Sequence, residues 1–203
     1  MTDVTDPAET RPAAKRRYRQ ARRAALAAET RARIVAAAVE LHGSIGPART
    51  TYSMIAERAG VQRHTLYAHF PDEGSLFEAC SGLALERDPQ PDPHAWAGIE
   101  RPRKRLKAGL GALYDWYGRN AALLAAVLRD AESHAPTREI LARRHAPVMA
   151  AYARILGEKL ERRQLALLHL ALAFSTWRAL VAESGLDHAT AVELMAAAIF
   201  GKK

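Results

Sequence analysis

Apolar residues in this chain recur every three or four positions over most of its length and nowhere alternate, and glycine or proline interrupts the pattern at short intervals. That periodicity specifies helices joined by short turns and leaves no material for a sheet. Aromatics are scarce at 6%, while alanine and leucine abound, which also favours helices. The expected class is all-α. With 203 residues the chain can bury a sizeable core in one or two domains. Its one cysteine, Cys80, excludes an internal disulfide framework and a cysteine-based zinc cluster. No apolar run reaches the roughly 20 residues of a membrane span, and the polar, basic N-terminus has no apolar signal core. The expected setting is cytoplasmic, with no membrane partner.

The punctuation divides the chain. Residues 1–14 hold Pro7, Pro12 and acids without periodicity and are expected to be disordered; residues 15–28 could be helical but lack an apolar stripe. Thr30 is a candidate N-cap for a helix over 31–43, with Ile34, Ala37, Ala38 and Leu41 on its buried face. Short helices are expected over 51–58 and 62–68, and a longer one over 72–86. Asp88-Pro89-Gln90-Pro91-Asp92-Pro93 then forms a stiff connector. Helical patterns resume over 95–118, 120–133, 137–160, 163–184 and 187–200. The expected organisation is a basic arm (1–29, disordered or partly helical), a first domain (30–71), a connector helix (72–88) and a helical domain (89–203).

Charge is unevenly placed. The net charge is +8, and residues 11–33 alone carry nine basic side chains against Glu29. Lys15, Arg16, Arg17 and Arg19 lie in this block. Such a block suits a polyanion, or else is a solvated tail.

The segment Thr51–Phe70 reads as a helix-turn-helix. Ala56 is small where two helices cross, Gly60 suits a left-handed turn residue, and Val61 and Leu66 can pin the second helix over Ile55. That second helix opens with Gln62, Arg63 and His64, which could reach base edges in a major groove.

Here the sequence resembles the TetR family of transcriptional regulators, whose signature runs roughly T-x-x-x-I-A-x-x-A-G-V-S-x-G-T-L-Y-x-H-F-x-S-K-x-x-L. Ile55, Ala56, Ala59, Gly60, Val61, Thr65, Leu66, Tyr67, His69, Phe70 and Leu76 match without a gap, and Gly46, Thr50 and Thr51 fall at the family spacing. The resemblance covers about residues 30–80. It implies a three-helix DNA-binding domain, a connecting fourth helix, and a larger helical domain for ligand binding and dimerisation through its last two helices. It also implies a double-stranded palindromic operator, a homodimer, and release of the operator by a small molecule, with repression as the family habit. By the family pattern Thr51, Tyr67 and His69 contact phosphates; packing is the alternative for Tyr67, and a structural role for His69. Departures from the pattern include Gln62 for the family serine, His64 for a glycine, Glu73 for a lysine and His42 for a core phenylalanine. Residues 34–80 carry Arg49, Arg58 and Arg63 against Glu40, Glu57, Asp72, Glu73 and Glu78, a net −2. The expected DNA-reading set is therefore Thr51, Gln62, Arg63, His64, Thr65, Tyr67 and His69, with Lys15, Arg16, Arg17 and Arg19 of the arm supplying phosphate or minor-groove contacts.

A hydrophobic or amphipathic effector is expected among the helices over 95–184. Candidate lining residues are Trp96, Leu110, Tyr114, Tyr117, Leu124, Leu128, Met149, Tyr152, Phe174 and Trp177, with ordinary core packing as the alternative. Arg101, Arg103, Lys104, Arg105 and Lys107 read as a solvated face. Residues 164–182 are mostly apolar, with Arg178 their one charged side chain. A helix apolar on most sides needs two partners, so Leu165, Leu168, Leu172, Val192, Met195 and Ile199 are candidates for an interface with a second copy; burial within one chain is the alternative. There is no phosphate loop, no G-x-S-x-G, no H-E-x-x-H and no Glu-x-x-His pair among the eight histidines. No cofactor, metal or catalytic residue is expected. An architectural DNA-binding protein and a helical enzyme remain as rival readings.

Overall fold

The computed structural model describes residues 10–201, with side chains from residue 15 on. Among the described residues there are helices and no strands. α1 (Thr10–Ser44) runs without interruption through Thr30. No glycine or proline falls between Ala13 and His42, so the alanine- and arginine-rich arm simply continues the helix, and a capping role at Thr30 loses to propagation. The apolar stripe begins only at Ile34, and residues 15–29 are solvent-exposed. Residues 10–14, expected to be disordered, form the first turn of this helix; the disorder expected for residues 1–9 lies outside the described residues.

α2 (Tyr52–Ala59) and α3 (Arg63–His69) make the helix-turn-helix. Thr51 caps α2 by accepting a hydrogen bond from the Met54 N–H at 3.3 Å. Gly60 is left-handed (φ 65°, ψ 41°), and Val61 N–H donates to the Ala56 carbonyl at 2.9 Å. These bonds satisfy the last carbonyls of α2 and turn the chain into α3. Ile34, Val35, Ala38, Ile55, Leu66 and Phe70 form the core beneath, joined by Leu76 and Cys80 of α4 (Glu73–Arg87).

The proline connector is tied down by aromatic tips. Trp116 Nε1 donates to the Asp88 carbonyl at 3.1 Å, and the Tyr152 hydroxyl donates to the Pro91 carbonyl at 2.6 Å. Beyond it come α5 (Pro102–Arg119), α6 (Ala121–Ala131), α7 (Ala135–Arg144), α8 (Ala146–Leu156), α9 (Arg162–Leu172), α10 (Phe174–Trp177) with a π-turn over Arg178–Glu183, and α11 (His188–Phe200). α5 starts later than the sequence pattern suggests, because Pro93–Trp96 forms a separate short 3-10 turn. α5 is the axis of the second core, with Leu106, Leu110, Leu113, Tyr114 and Tyr117 fully buried.

Two expected helices are broken. The stretch over 137–160 divides at His145, because Pro147 belongs in a first helical turn and cannot continue α7. The stretch over 163–184 divides at Ala173, which is extended (φ −71°, ψ 135°), and the two pieces bend by 70°. Tyr117 donates to the Leu172 carbonyl at 2.7 Å and Tyr114 to the Ala171 carbonyl at 2.9 Å. These buried hydroxyls satisfy carbonyls freed by the break, so the break is stable in an apolar setting. Among the described residues, no single helix is long and apolar enough to cross a membrane.

The expected solvated face on α5 holds a buried member. Arg105 is 3% exposed, pairs with the Glu158 carboxylate at 2.7 Å and donates to the Glu158 carbonyl at 3.3 Å. Its helical phase points at the α8–α9 turn, where Glu158 waits.

The two cores meet where α1 lies on α6 and α4 on α7. Asp130, buried at the end of α6, accepts a hydrogen bond from the Ala48 N–H at 2.9 Å. It also accepts from Arg129 Nε at 2.8 Å, and Arg129 donates to the Ile45 carbonyl at 3.3 Å. A carboxylate of the second domain thus holds the turn that leads into α2.

Candidate nucleic-acid interface and junction cavity

The outer side of α3 is open. Gln62, Arg63, His64 and Tyr67 are exposed; Thr65 and His69 are half-buried. Arg63 and Tyr67 stand one turn apart, with Arg63 Nη2 donating to the Tyr67 hydroxyl at 3.2 Å and its guanidinium over the ring at 5.6 Å. The Tyr67 ring leans on Tyr52 at 4.9 Å, so its body packs while its hydroxyl stays at the surface. Thr51 is exposed with its hydroxyl engaged as the α2 cap. Glu73 opens α4, a favourable place for an acid, while Asp72 performs the capping by accepting from the Ser75 N–H at 2.7 Å.

Lys15, Arg16, Arg17 and Arg19 lie on the exposed part of α1. Arg31, near the domain core, sits over the Phe70 ring at 4.7 Å. The basic arm is therefore a continuation of the helix that packs against α2, α3 and α4.

A cavity of about 120 Å³, partly open to solvent, lies at the domain junction. Its walls come from α1 and the turn after it (Val39, His42, Pro47), α4 (Phe77, Cys80, Ala84), α6 (Leu123, Leu124, Val127) and α7 (Thr137, Ile140, Leu141), with Trp116 and His145 at one end. The lining is overwhelmingly apolar. Burial pushes His42 down to about 4 and lowers His145, so both imidazoles are neutral at pH 7. Burial likewise raises the Cys80 thiol to about 12, which removes its thiolate reactivity.

Of the ten residues expected around an effector, Leu124 lines this cavity. Trp96, Leu110, Tyr114, Tyr117, Tyr152, Phe174 and Trp177 are buried in the second core, and Leu128 packs against it. Met149 borders a separate depression with Ala153, His169 and Leu172. The tyrosine tips that made these residues attractive are engaged by backbone carbonyls. The cavity instead uses residues from the helix-turn-helix side, above all His42, Phe77 and Cys80. The departure of His42 from an apolar core position was the one signal of this in the sequence.

On the last helices Leu168, Leu172, Val192 and Ile199 are buried within the chain, and Leu165 and Met195 are half-buried. The outward apolar side chains there are Leu170 (54% exposed) and Leu194 (46%). Among the described residues, no group of three or more His, Cys, Asp or Glu could hold a metal ion.

Comparison with known proteins agrees with this geometry. Residues 34–80 match the family model for bacterial regulatory proteins of the TetR family. Among solved structures, the chain is similar to a protein described as a fatty acid metabolism regulator of Clostridium perfringens (18% identity, 84% of this chain and 98% of that one, TM-score 0.60). It is also similar to a TetR-like transcriptional regulator from Rhodococcus sp. RHA1 (22% identity, 84% and 93%, TM-score 0.57). A third is Thermus thermophilus FadR, a TetR-family transcriptional repressor solved with lauroyl-CoA (22% identity, 85% and 95%, TM-score 0.51). No curated protein matches. The helix-turn-helix carries the match to the TetR family model over residues 34–80, and the chain as a whole shares its fold with these regulators.

Proposed function

We propose that the protein is an effector-responsive repressor of transcription, not an enzyme, that binds a palindromic operator as a homodimer. The observation that carries this reading is the junction cavity, whose walls are shared by the DNA-binding domain and the helical domain. A molecule filling it touches α1, α4 and the turn held by Asp130 at once. Gln62, Arg63 and His64 read base edges, with Thr65, Tyr67, His69 and Thr51 around them on the backbone. The basic part of α1 offsets the net −2 of residues 34–80 by meeting phosphates beside each half-site. The second copy docks on α9 and α11, where Leu170 and Leu194 face outward, and the effector is hydrophobic or amphipathic.

The test is selection of genomic fragments with the purified protein, followed by titration of candidate effectors against the selected fragment. Enrichment of a palindrome and its release by an apolar small molecule are the expected results. Binding without sequence preference and without ligand response would instead make it an architectural DNA-binding protein. For the arm, removal of residues 1–23 should weaken operator binding and flatten its dependence on salt, by about 0.9 in slope for each phosphate that the arm neutralises. An unchanged slope would refute the arm's role.

A further inference from the structure

The junction cavity contains one buried polar side chain without a partner, and it belongs to the DNA-binding domain. His42 is 6% exposed and stacks on Phe77 with ring centroids 5.0 Å apart. Among the described residues, neither of its ring nitrogens meets a hydrogen-bond partner, although it lines the cavity. The other polar groups around the cavity are engaged. Gln90 Nε2 donates to His145 Nδ1 at 2.7 Å. Asp88 accepts from Arg119 at 2.9 Å and from Asn120 at 2.7 Å. Arg144 donates to the Glu78 carboxylate at 3.2 Å, and Thr137 Oγ1 lies 2.8 Å from His134 Nδ1.

This pattern restricts the ligand in charge, size and polarity. A carboxylate or an ammonium ion would enter an apolar space whose nearest cation and anion are already neutralised, so its lost hydration would go uncompensated. The space of about 120 Å³ is close to that of an engineered apolar cavity known to bind benzene. It suits one ring or a branched chain of similar bulk; a long alkyl chain would have to move the walls. The neutral imidazole offers one N–H donor and one acceptor nitrogen. We infer that the cavity takes a compact neutral ligand carrying a single hydroxyl or carbonyl group, and that His42 hydrogen-bonds that group from α1. The inference rests on reading the cavity as the effector site. It also places a ligand contact four residues ahead of Gly46, where the turn into the helix-turn-helix begins.

The experiment is calorimetric titration of the full chain with 4-ethylphenol, ethylbenzene and 4-ethylbenzoate, in the wild type and in His42→Phe and His42→Gln. The wild type should bind 4-ethylphenol more tightly than 4-ethylbenzoate. His42→Phe should loosen 4-ethylphenol about three- to tenfold, the size of one hydrogen bond, and ethylbenzene by less than about twofold. His42→Gln, which keeps a donor and an acceptor, should recover part of the loss. If His42→Phe does not fold, His42→Leu replaces it. Tighter binding of the benzoate, an equal loss for both neutral probes, or no binding of any probe overturns the inference. Failure of the broader reading looks different. A phenol that binds through His42 but leaves the operator complex intact refutes the effector role and keeps the ligand chemistry. A charged or long-chain compound that releases the operator equally from wild type and His42→Phe keeps the effector role and overturns the chemistry.

Discussion

Acid should destabilise this protein through His42, and the size of the effect follows from the junction. Burial holds the His42 ring near 4 against its ordinary 6.5, with the nearby His134 lowering it further and Asp130 opposing. Between those two values the unfolded chain binds a proton at this residue and the folded chain does not. Stability therefore rises with pH across this window, is fully present above about 6.5, and is lost as the pH falls toward 4. From pH 7 to pH 5 the loss attributable to His42 is about 2 kcal/mol. His145 is shifted in the same direction by its own burial, so the wild type should lose more than His42 alone explains.

The variant His42→Phe isolates this contribution, because phenylalanine fills the stacked position on Phe77 without titrating. Urea denaturation at pH 7 and pH 5, followed by far-ultraviolet circular dichroism at one protein concentration, gives the four stabilities required. With a urea slope of roughly 2–3 kcal/mol per molar, the wild-type midpoint should fall by roughly 0.7–1 M more than that of the variant. If both proteins lose the same stability between the two pH values, His42 is not buried as a neutral group, and the charge restriction on the cavity's ligand loses its basis.

Three further substitutions test separate parts of the structure. Gly46 has φ +95°, and a Cβ there would run into the Arg129 guanidinium and the Asp130 carboxylate. Gly46→Ala should therefore cost about 2 kcal/mol and lower Tm by roughly 4–8 °C, read by thermal melting. Tyr117→Phe leaves the Leu172 carbonyl without its 2.7 Å donor and should cost about 1–2 kcal/mol in chemical denaturation; no cost would mean that other contacts hold the α9 break. Arg63→Ala should relax base preference at one operator position by about 1–3 kcal/mol, measured by competition among single-base variants, whereas a uniform loss over all sequences would assign Arg63 to the phosphates.

The local elements were legible wherever the cause is local. Thr51, Gly60 and Asp72 act through backbone bonds to residues three or four positions away, and their spacing revealed the helix-turn-helix and the start of α4. The limits of that legibility are equally physical. The break at Ala173 has no glycine or proline to announce it; it is held by Tyr114 and Tyr117 from another helix, and a periodicity count runs straight through it. Arg105 looked solvated because its partner Glu158 lies more than fifty residues away. The tyrosines and tryptophans proposed for a pocket are the residue types that pockets and cores share, and here the hydroxyls of Tyr114 and Tyr117 fasten α9 and that of Tyr152 the connector. The junction cavity arises where two separately formed cores fail to fill the space between them, which no pattern within either domain encodes. Only His42, polar in the middle of an apolar stripe, carried a trace of it.

That origin has a consequence for regulation under the proposed function. A ligand shifts an equilibrium only by its difference in affinity between the two states. A cavity walled by α1 and α4 on one side and α6 and α7 on the other exists only while the domains keep this arrangement. A ligand that fills it must therefore favour this arrangement over any other that the operator requires. The Asp130 bond to the Ala48 N–H makes the turn before α2 part of the same arrangement, so the change cannot be confined to the cavity walls. Linkage then demands reciprocity: operator DNA must weaken ligand binding by the same factor by which the ligand weakens operator binding. Titrating one ligand into free protein and into the operator complex measures the first factor, and titrating operator into free and ligand-saturated protein measures the second; a ligand that binds free protein and operator complex equally well would refute the coupling of cavity and operator.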